Sequence, residues 1–544
     1  MSEKRYSLGL DFGTLSARAV LADVDNGKLF DYESIFIYPH AIIKNINGND
    51  LPSHYALQHP QDYIDALEFL LSDILEKTGV KKESVIGIGI DFTDCTVLPV
   101  NDKMIPLCFL KKYENEPHAY AKLWKHHAKE KYATKVSDVA LCYDPKLLSI
   151  TGDRMTSEFL IPKLYEIFCE APDVYASTYK FISAGDFVAS LLIGKKFIHS
   201  KAFSAKQHIN DEKAPSKDFF AMIDEGFATV YDEKTVTKLS SVESPVGTLC
   251  DEWAIKTGLS LDVAISAPII DAHSAISAAG IEEGRAVMAL GTSAVFEIAT
   301  AQRAEIKGAL ASSYESVANK LTTIEAGLAA MGDLFDWFIK NCVPAEYALA
   351  AEKQGLGIHK YLRSLAQNQK IGEHGLLALD WWNGSRSIVL DNKLSGMIVG
   401  MRLSTRPEDI YRALIESTVF GIRRIFDSFK QQGIAIESVY ATGGIALKDP
   451  MLMQICADVL DTPVYCLESL QATALGSAIY GAVAAGAYSS VSEASQNMRR
   501  PIAKIYQPIK ENHAQYEKIY SHYLCLNEYF STDTPIMEFL ADNR

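Results

Sequence analysis

The stretch Ser7-Leu-Gly-Leu-Asp11-Phe-Gly13-Thr14-Leu-Ser16-Ala-Arg18-Ala-Val-Leu21 decides how the rest of the 544-residue chain is read. Apolar residues run into a glycine, hydroxyl residues follow, and a second apolar segment leads away. This pattern predicts a β-hairpin whose glycine lets the backbone turn sharply and lie close to a ligand. Successive N–H groups in such a turn form a concavity for anionic oxygen. One Gly-Thr turn is commonplace, but the pattern returns as Ala286-Val-Met-Ala-Leu-Gly291-Thr292-Ser293-Ala-Val-Phe-Glu-Ile298. Two copies separated by a large region predict two nucleotide-gripping lobes.

The length calls for roughly two to four domains, and the division read from the chain is 1–283, with an insertion over about 110–217, then 284–498, then a polar tail, 499–544. Hydrophobic residues make up 48% and charged residues 22%, the balance of a soluble globular protein. No run approaches the ~20 apolar residues of a membrane span. Met-Ser-Glu-Lys-Arg leads straight into a strand pattern without an apolar signal core, so the expected location is cytoplasmic and no membrane partner is expected. A net charge of -15 disfavours nucleic acid as a partner. Nine cysteines without a C-x-x-C pair read as buried, reduced thiols. The basic run Lys122-Leu-Trp124-Lys125-His126-His127-Ala-Lys129-Glu-Lys131 reads as a helix with a solvated face, the alternative being a sugar-site wall that includes Trp124.

Apolar residues at helical spacing predict a helix over 62–78, with Pro60 and Gly79 as its start and stop signals. The alternating segment Ser84-Val-Ile-Gly-Ile-Gly-Ile90 predicts a strand that ends on Asp91, and the C-terminal ends of strands are where open α/β sheets bind ligands. A long helix is expected over 407–432, with Thr405 and Glu408 in capping-box spacing. Farther on, Ser438 to Thr442 reads as a strand, Gly443-Gly444 as a turn, and Asp449-Pro450 as cap and first residue of another helix.

The Gly13, Gly291 and Gly443-Gly444 turns provide the close backbone approaches a nucleotide needs. Neither a Walker sequence nor G-x-G-x-x-G occurs, so P-loop and Rossmann architectures find no support. Asp11-Phe12-Gly13 matches a protein-kinase triplet only superficially, since no HRD precedes it. Transfer of a phosphoryl group to an alcohol needs charge neutralisation at the phosphate and a carboxylate that accepts the hydroxyl proton. Asp271 stands where an apolar strand, Ala264 to Ile270, meets the start of a small-residue helix. By position alone it reads as a helix cap, by chemistry as the base. Asp11 is either metal-associated or a turn former.

Further motifs carry a family resemblance over almost the whole chain: Ala56-Leu-Gln58-His59-Pro60, Gly87-Ile-Gly-Ile-Asp91-Phe-Thr93, Pro117-His118, Asp271-Ala-His273, Asp380-Trp381-Trp382-Asn383-Gly384 and Leu394-Ser-Gly396. In these the chain resembles the FGGY carbohydrate kinases of the actin and hexokinase-like ATPase superfamily, most of all their L-ribulokinase branch. The resemblance implies an α/β fold of two ribonuclease-H-like lobes around a cleft, with sugar on the first and ATP on the second. It makes Asp271 the general base, lets Asp11 hold Mg²⁺ through water, and turns Gly13, Thr14 and Arg18 toward the transferred phosphate. Gly291, Thr292 and Ser293 would bind the other phosphates, and Gly443, Gly444 and Lys448 would line the adenosine pocket. Asp91, Thr93, Asp94, Lys206, Asp271 and Glu325 would contact the sugar. The implied reaction is phosphorylation of the terminal hydroxyl of a ketopentose, L-ribulose first, with D-ribulose, xylulose or another polyol as alternatives; a nucleotide-dependent sugar sensor is the rival from another class, and a homodimer the family-level expectation. Two departures concern the acceptor. Asp94 stands where the family usually has a small residue, and Leu328 where a Gln is usual.

Overall fold

The computed structural model describes residues 4–151, 155–209, 213–303, 306–468 and 471–543. Its first sheet grows from the opening hairpin. Tyr6–Phe12 (β1) pairs antiparallel with Ser16–Asp23 (β2), which pairs with Ser34–Ile37 (β3). The other side of β1 takes Val85–Phe92 (β4) in parallel, followed by Ala264–Ser266 (β6) and Ile269–Ile270 (β7), both parallel to β4, with Pro245–Thr248 (β5) at the edge. Helix Pro60–Thr78 (α1) makes the long connection from the meander to β4. His59 caps its start by accepting from Gln61 N–H, and Gly79 ends it at φ 61°.

The second sheet repeats this order. Arg285–Leu290 (β8) pairs antiparallel with Ala294–Thr300 (β9), and β9 is followed outward by Thr322–Leu328 (β11) and Ala311–Tyr314 (β10). On the other side β8 takes Ser438–Thr442 (β12) and then Val464–Leu467 (β13) in parallel, with Ile502–Tyr506 (β14) at the edge. The first lobe is therefore a three-strand meander extended by parallel strands, and the second keeps that frame with β10 added outside β11, the ribonuclease-H-like arrangement the family resemblance implies.

Between β4 and β5 the chain builds an extra body with its own apolar core, in which helix Leu160–Glu170 (α2) is almost wholly buried. The run Lys122 to Lys131 belongs to this body and is not the solvated helix expected from its composition. Ala121–Lys122 forms a short strand, and Lys122 and His126 are fully buried because both reach Glu166 Oε2 of α2, at 3.0 and 2.9 Å. Burial opposes the charge on Glu166, but the hydrogen bond from His126 and the Lys122 ammonium outweigh it and hold the carboxyl well below its ordinary value, so a compensated charge replaces a solvated one. All nine cysteines are free, yet Cys142, Cys169, Cys342 and Cys525 are exposed, contrary to the expectation of burial.

Helix Asp271–Ala279 (α3) leaves the first sheet, Gly332–Cys342 (α4) follows β11, and the 25-residue Pro407–Gln431 (α5) covers the second lobe's core. The cap of α5 lies one residue later than its sequence spacing implied: Arg406 N–H donates to Asp409 at 2.8 Å, while Thr405 Oγ1 accepts from Arg402 N–H. Asp449 does cap the helix that begins at Pro450, accepting from Leu452 N–H at 3.0 Å.

Helix Ala472–Ala484 (α6) follows the second lobe's β13 in sequence but packs on the first lobe's sheet. Glycines on β1 and β4 make room for it. A Cβ at Gly9 would lie 1.8 Å from Ala474 O, and one at Gly89 would lie 1.7 Å from Ser477 O, so strand and helix backbones touch only because side chains are missing. The described part of the tail, 499–543, includes β14 and helix Lys510–Glu528 (α7), whose Tyr516, Tyr520 and Tyr523 enter the second core. Tyr523 donates to Asp380 Oδ1 at 2.5 Å, so the Asp380-Trp-Trp-Asn-Gly384 run fastens this helix to the lobe.

Candidate active site

Three carboxylates converge at the C-terminal ends of the first lobe's parallel strands. Register places Asp11 beside Asp91 and Asp91 beside Ile269, two residues before Asp271. Helix α6 supplies their hydrogen-bond donors. Thr473 Oγ1 donates to Asp11 Oδ2 at 2.6 Å and Ser477 Oγ to Asp91 Oδ2 at 2.5 Å, while Arg18 Nε lies 3.4 Å from Asp11 Oδ2. Burial and the charge of Asp11 push Asp91 well above the usual carboxylate range. The other Asp91 oxygen is buried without a protein partner. Hard carboxylate oxygens, one of them orphaned, form a donor set that fits Mg²⁺. Asp91 is completely buried, the register partner of Asp11, and its side chain is bonded to Ser477 of α6.

Asp271 is not a helix cap. The capping position is Ile270, Asp271 is the first helical residue, and its Oδ1 accepts from its neighbour Ala272 N–H at 2.7 Å. It keeps some exposure to solvent. Burial, and next the charge of Asp11, raise its pKa from 3.8 to about 7. A carboxylate with that proton affinity is suited to take a hydroxyl proton at neutral pH.

The loop Gly13–Leu15 closes with Gly13 N–H bonded to Ser16 O at 3.0 Å, and the loop Gly291–Ser293 closes likewise from Gly291 N–H to Ser293 O at 3.0 Å. Beside the first loop, Trp124 Nε1 donates to Thr14 Oγ1 at 3.0 Å, and Arg18 Nη1 donates to Gln471 Oε1 at 3.1 Å. The tryptophan named with the basic run therefore stands over the hairpin turn. At the second loop, Met331 and Asp333 N–H both donate to Thr292 O and Gly332 N–H to Gly291 O. Gly443, at φ 95°, lies so close that a Cβ would be 2.4 Å from Leu290 O, and a Cβ at Gly332 would be 2.7 Å from Gly291 O. Three glycines from three strand ends thus make an open backbone floor. Gly444 and Lys448 are exposed on the short helix that follows Gly443.

The proposed sugar contacts come together where the lobes meet. Lys206 Nζ lies 3.1 Å from Asp94 Oδ2 of the first lobe and 2.7 Å from Glu325 Oε2 of the second. Burial opposes the charge on Lys206, but Glu325 and then Asp94 outweigh it and hold the ammonium well above its ordinary value. Asp94, the departure from the family pattern, is thus the partner of a lysine already expected at the site. Thr93 is buried and its hydroxyl is shared with Thr96 Oγ1 at 2.8 Å. Two residues escaped the sequence reading. His273, quoted there only as the end of the Asp271-Ala-His273 motif and given no role, stands two residues after Asp271 on α3, and Glu297 on β9 is the register partner of Glu325 on β11. The signal for Glu297 was a lone acid in the otherwise apolar strand Ala294 to Ile298.

The comparisons accord with this geometry. Residues 286–485 match the model of the FGGY family of carbohydrate kinases, C-terminal domain. The chain is 38% identical to a ribulokinase of Geobacillus thermodenitrificans, over 97% of this chain and 95% of that one, and 39% identical to a ribulokinase of Bacillus licheniformis, over 97% of both. Among solved structures, a ligand-bound xylulose kinase from Lactobacillus acidophilus superposes with a TM-score of 0.80 at 18% identity, covering 97% of this chain and 99% of that one. A Plasmodium falciparum glycerol kinase with ADP gives 0.75 at 16% identity, covering 96% and 98%. Those structural likenesses establish the fold. Among the described residues, no helix is long and apolar enough to cross a membrane.

Proposed function

From the premise that the chain belongs to the FGGY family of carbohydrate kinases, we propose that it transfers the terminal phosphoryl group of ATP to the terminal hydroxyl of a ketopentose, converting L-ribulose to L-ribulose 5-phosphate. The sugar follows from the ribulokinase relatives, which match nearly end to end. The observation that carries the chemistry is Asp271, a carboxylate with a pKa of about 7 set between the Asp11–Asp91 pair and the Lys206 cluster.

In this reading the acceptor lies against Lys206, Asp94 and Glu325, and its terminal hydroxyl gives its proton to Asp271 as the O–P bond forms. Thr14, held by Trp124, and Arg18 face the phosphate that moves. Gly291, Thr292 and Ser293 take the remaining phosphates, and Gly443, Gly444 and Lys448 take the adenosine. Asp11, beside Asp91, would hold Mg²⁺. When bound, the ion neutralises phosphate oxygens and so lowers the charge barrier to attack. The division of labour assigns sugar to 1–283 and nucleotide to 284–498, and closure of the lobes excludes water from the reaction.

The test is a coupled ADP-release assay over L-ribulose, D-ribulose, xylulose and the pentitols, with mass spectrometry of the products. L-ribulose should give the highest kcat/KM and a singly phosphorylated product. Preference for another pentulose or a pentitol replaces the sugar but keeps the reaction, whereas ADP release without any phosphorylated sugar overturns the reaction itself.

A further inference from the structure

The buried cluster around Lys206 has an end that the proposed chemistry leaves unused. His273 is 2% exposed, Glu297 3% and Glu325 5%, and one polar atom from each lies within 4.8 Å of the others. Glu325 is satisfied by Lys206. Glu297 is not: both of its carboxyl oxygens and the Nδ1 of His273 are buried with no hydrogen-bond partner, and the only approach between the two residues is His273 Nε2 to Glu297 Oε2 at 3.7 Å. A buried polar group left unpaired is costly, and such groups occur where a ligand or water completes them. Three unpartnered buried atoms in one cluster, joined through Glu325 to the Lys206 ion pair, are therefore a built feature.

We propose that His273 and Glu297 form an acceptor subsite that binds a hydroxyl of the sugar other than the one phosphorylated, fixing which polyhydroxy compound the enzyme accepts. This rests on the kinase reading above. Two observations favour a hydroxyl over a metal ion. Burial, reinforced by Glu325, raises Glu297 well above the usual carboxylate range, and burial lowers His273 to about 4, so both surroundings favour the neutral form. Glu325 also already carries the Lys206 ammonium at 2.7 Å, which repels a second cation. A neutral carboxyl and a neutral imidazole each both donate and accept, which matches an alcohol. Discrimination by such a site is strong, because an analogue lacking the hydroxyl leaves the buried groups unpaired.

The experiment measures kcat/KM for wild type, Glu297→Leu, Glu297→Gln and His273→Gln with the best acceptor and with its monodeoxy analogues. One analogue should lose about 10- to 100-fold on wild type. Glu297→Leu should lose a similar factor on the parent sugar and nothing further on that analogue, and Glu297→Gln should recover most of the activity. Equal fractional losses on every acceptor, or no loss on any, overturn the subsite. Should the variants not fold, a wild-type crystal structure with acceptor and ADP decides: a sugar hydroxyl within hydrogen-bond distance of both side chains supports it, and a metal ion there or a hydroxyl-free gap overturns it. Calorimetric binding of the same analogues to wild type reads the subsite even if no phosphoryl transfer occurs, so its failure is distinguishable from failure of the kinase reading.

Discussion

Where β1 lays Asp11 beside Asp91 of β4, the second lobe lays Ala289 beside Thr442 of β12. Asp11 and Ala289 stand equally far before their hairpin glycines, Gly13 and Gly291, and the strands around them pair in the same order. The backbone frame is one design used twice, and at these strand ends the charge is placed on only one copy. Carboxylates occupy the ends where, in the proposed reaction, a proton must leave and a cation is wanted. Small neutral residues and glycines occupy the equivalent ends of the other lobe, where a polyphosphate would be repelled by any acid. The difference teaches that the twofold fold supplies position, and that function is written in the few residues by which the copies differ.

Removing the acid unique to the first lobe should have the largest effect. Asp271→Asn is expected to lower kcat by about 10³-fold with acceptor KM nearly unchanged, read in the ADP-release assay; a variant that keeps more than a tenth of wild-type turnover breaks the assignment. Making the lobes alike from the other side comes next. Ala289→Asp should raise the KM for ATP by roughly 30-fold, about 2 kcal/mol of repulsion between a like charge and the phosphates, and an unchanged KM would show that this strand end does not face the nucleotide.

The pH profile sharpens the same contrast. Because Asp271 acts ionised and its pKa is about 7, kcat/KM should fall about tenfold for each pH unit below that value. Its stability effect has the opposite sense. Between pH 3.8 and about 7 the folded chain holds a proton that the unfolded chain has released, so this residue's contribution to stability declines as pH rises through that window. Asp271→Asn should accordingly melt above wild type at pH 8 and at the same temperature below pH 4. The smallest effect is expected at Trp124→Phe, which deletes the bond to Thr14 Oγ1 and should reduce kcat about threefold, the value of one neutral hydrogen bond.

Local patterns were enough to read both hairpins, the ends of α1, the Asp449 cap and the strand ending at Asp91, because turn glycines, caps and period-two alternation are encoded by near neighbours. The convergence of Asp94, Lys206 and Glu325 came from the family resemblance, and their mutual pairing did not, since nothing in the sequence says that residues so far apart share one buried charge. Lys122 misled for the same reason: its partner Glu166 lies on another helix, and without it a basic run reads as solvated. Glu297 was invisible because strand pairing in the second sheet, not sequence distance, brings it beside Glu325. Asp271 read as a cap because the residue type at a strand-to-helix junction is right for one, while the backbone gives that position to Ile270.

The placement of α6 reaches beyond the site it helps to build. A ribosome that has delivered residues up to 283 has made a sheet whose glycine-paved face is bare, and the donors to Asp11 and Asp91 have not yet been synthesised. The first half of the chain therefore matures only after nearly the whole second half has emerged, and its exposed face is the surface on which a chaperone would act during that wait. Cutting the gene between the two hairpins would leave the second sheet and its core complete but would take α6 away from the first lobe. A division after residue 468 instead separates the frame from the strip that completes it, so the segment from 471 onward is the piece to supply in trans for a split enzyme that assembles on demand.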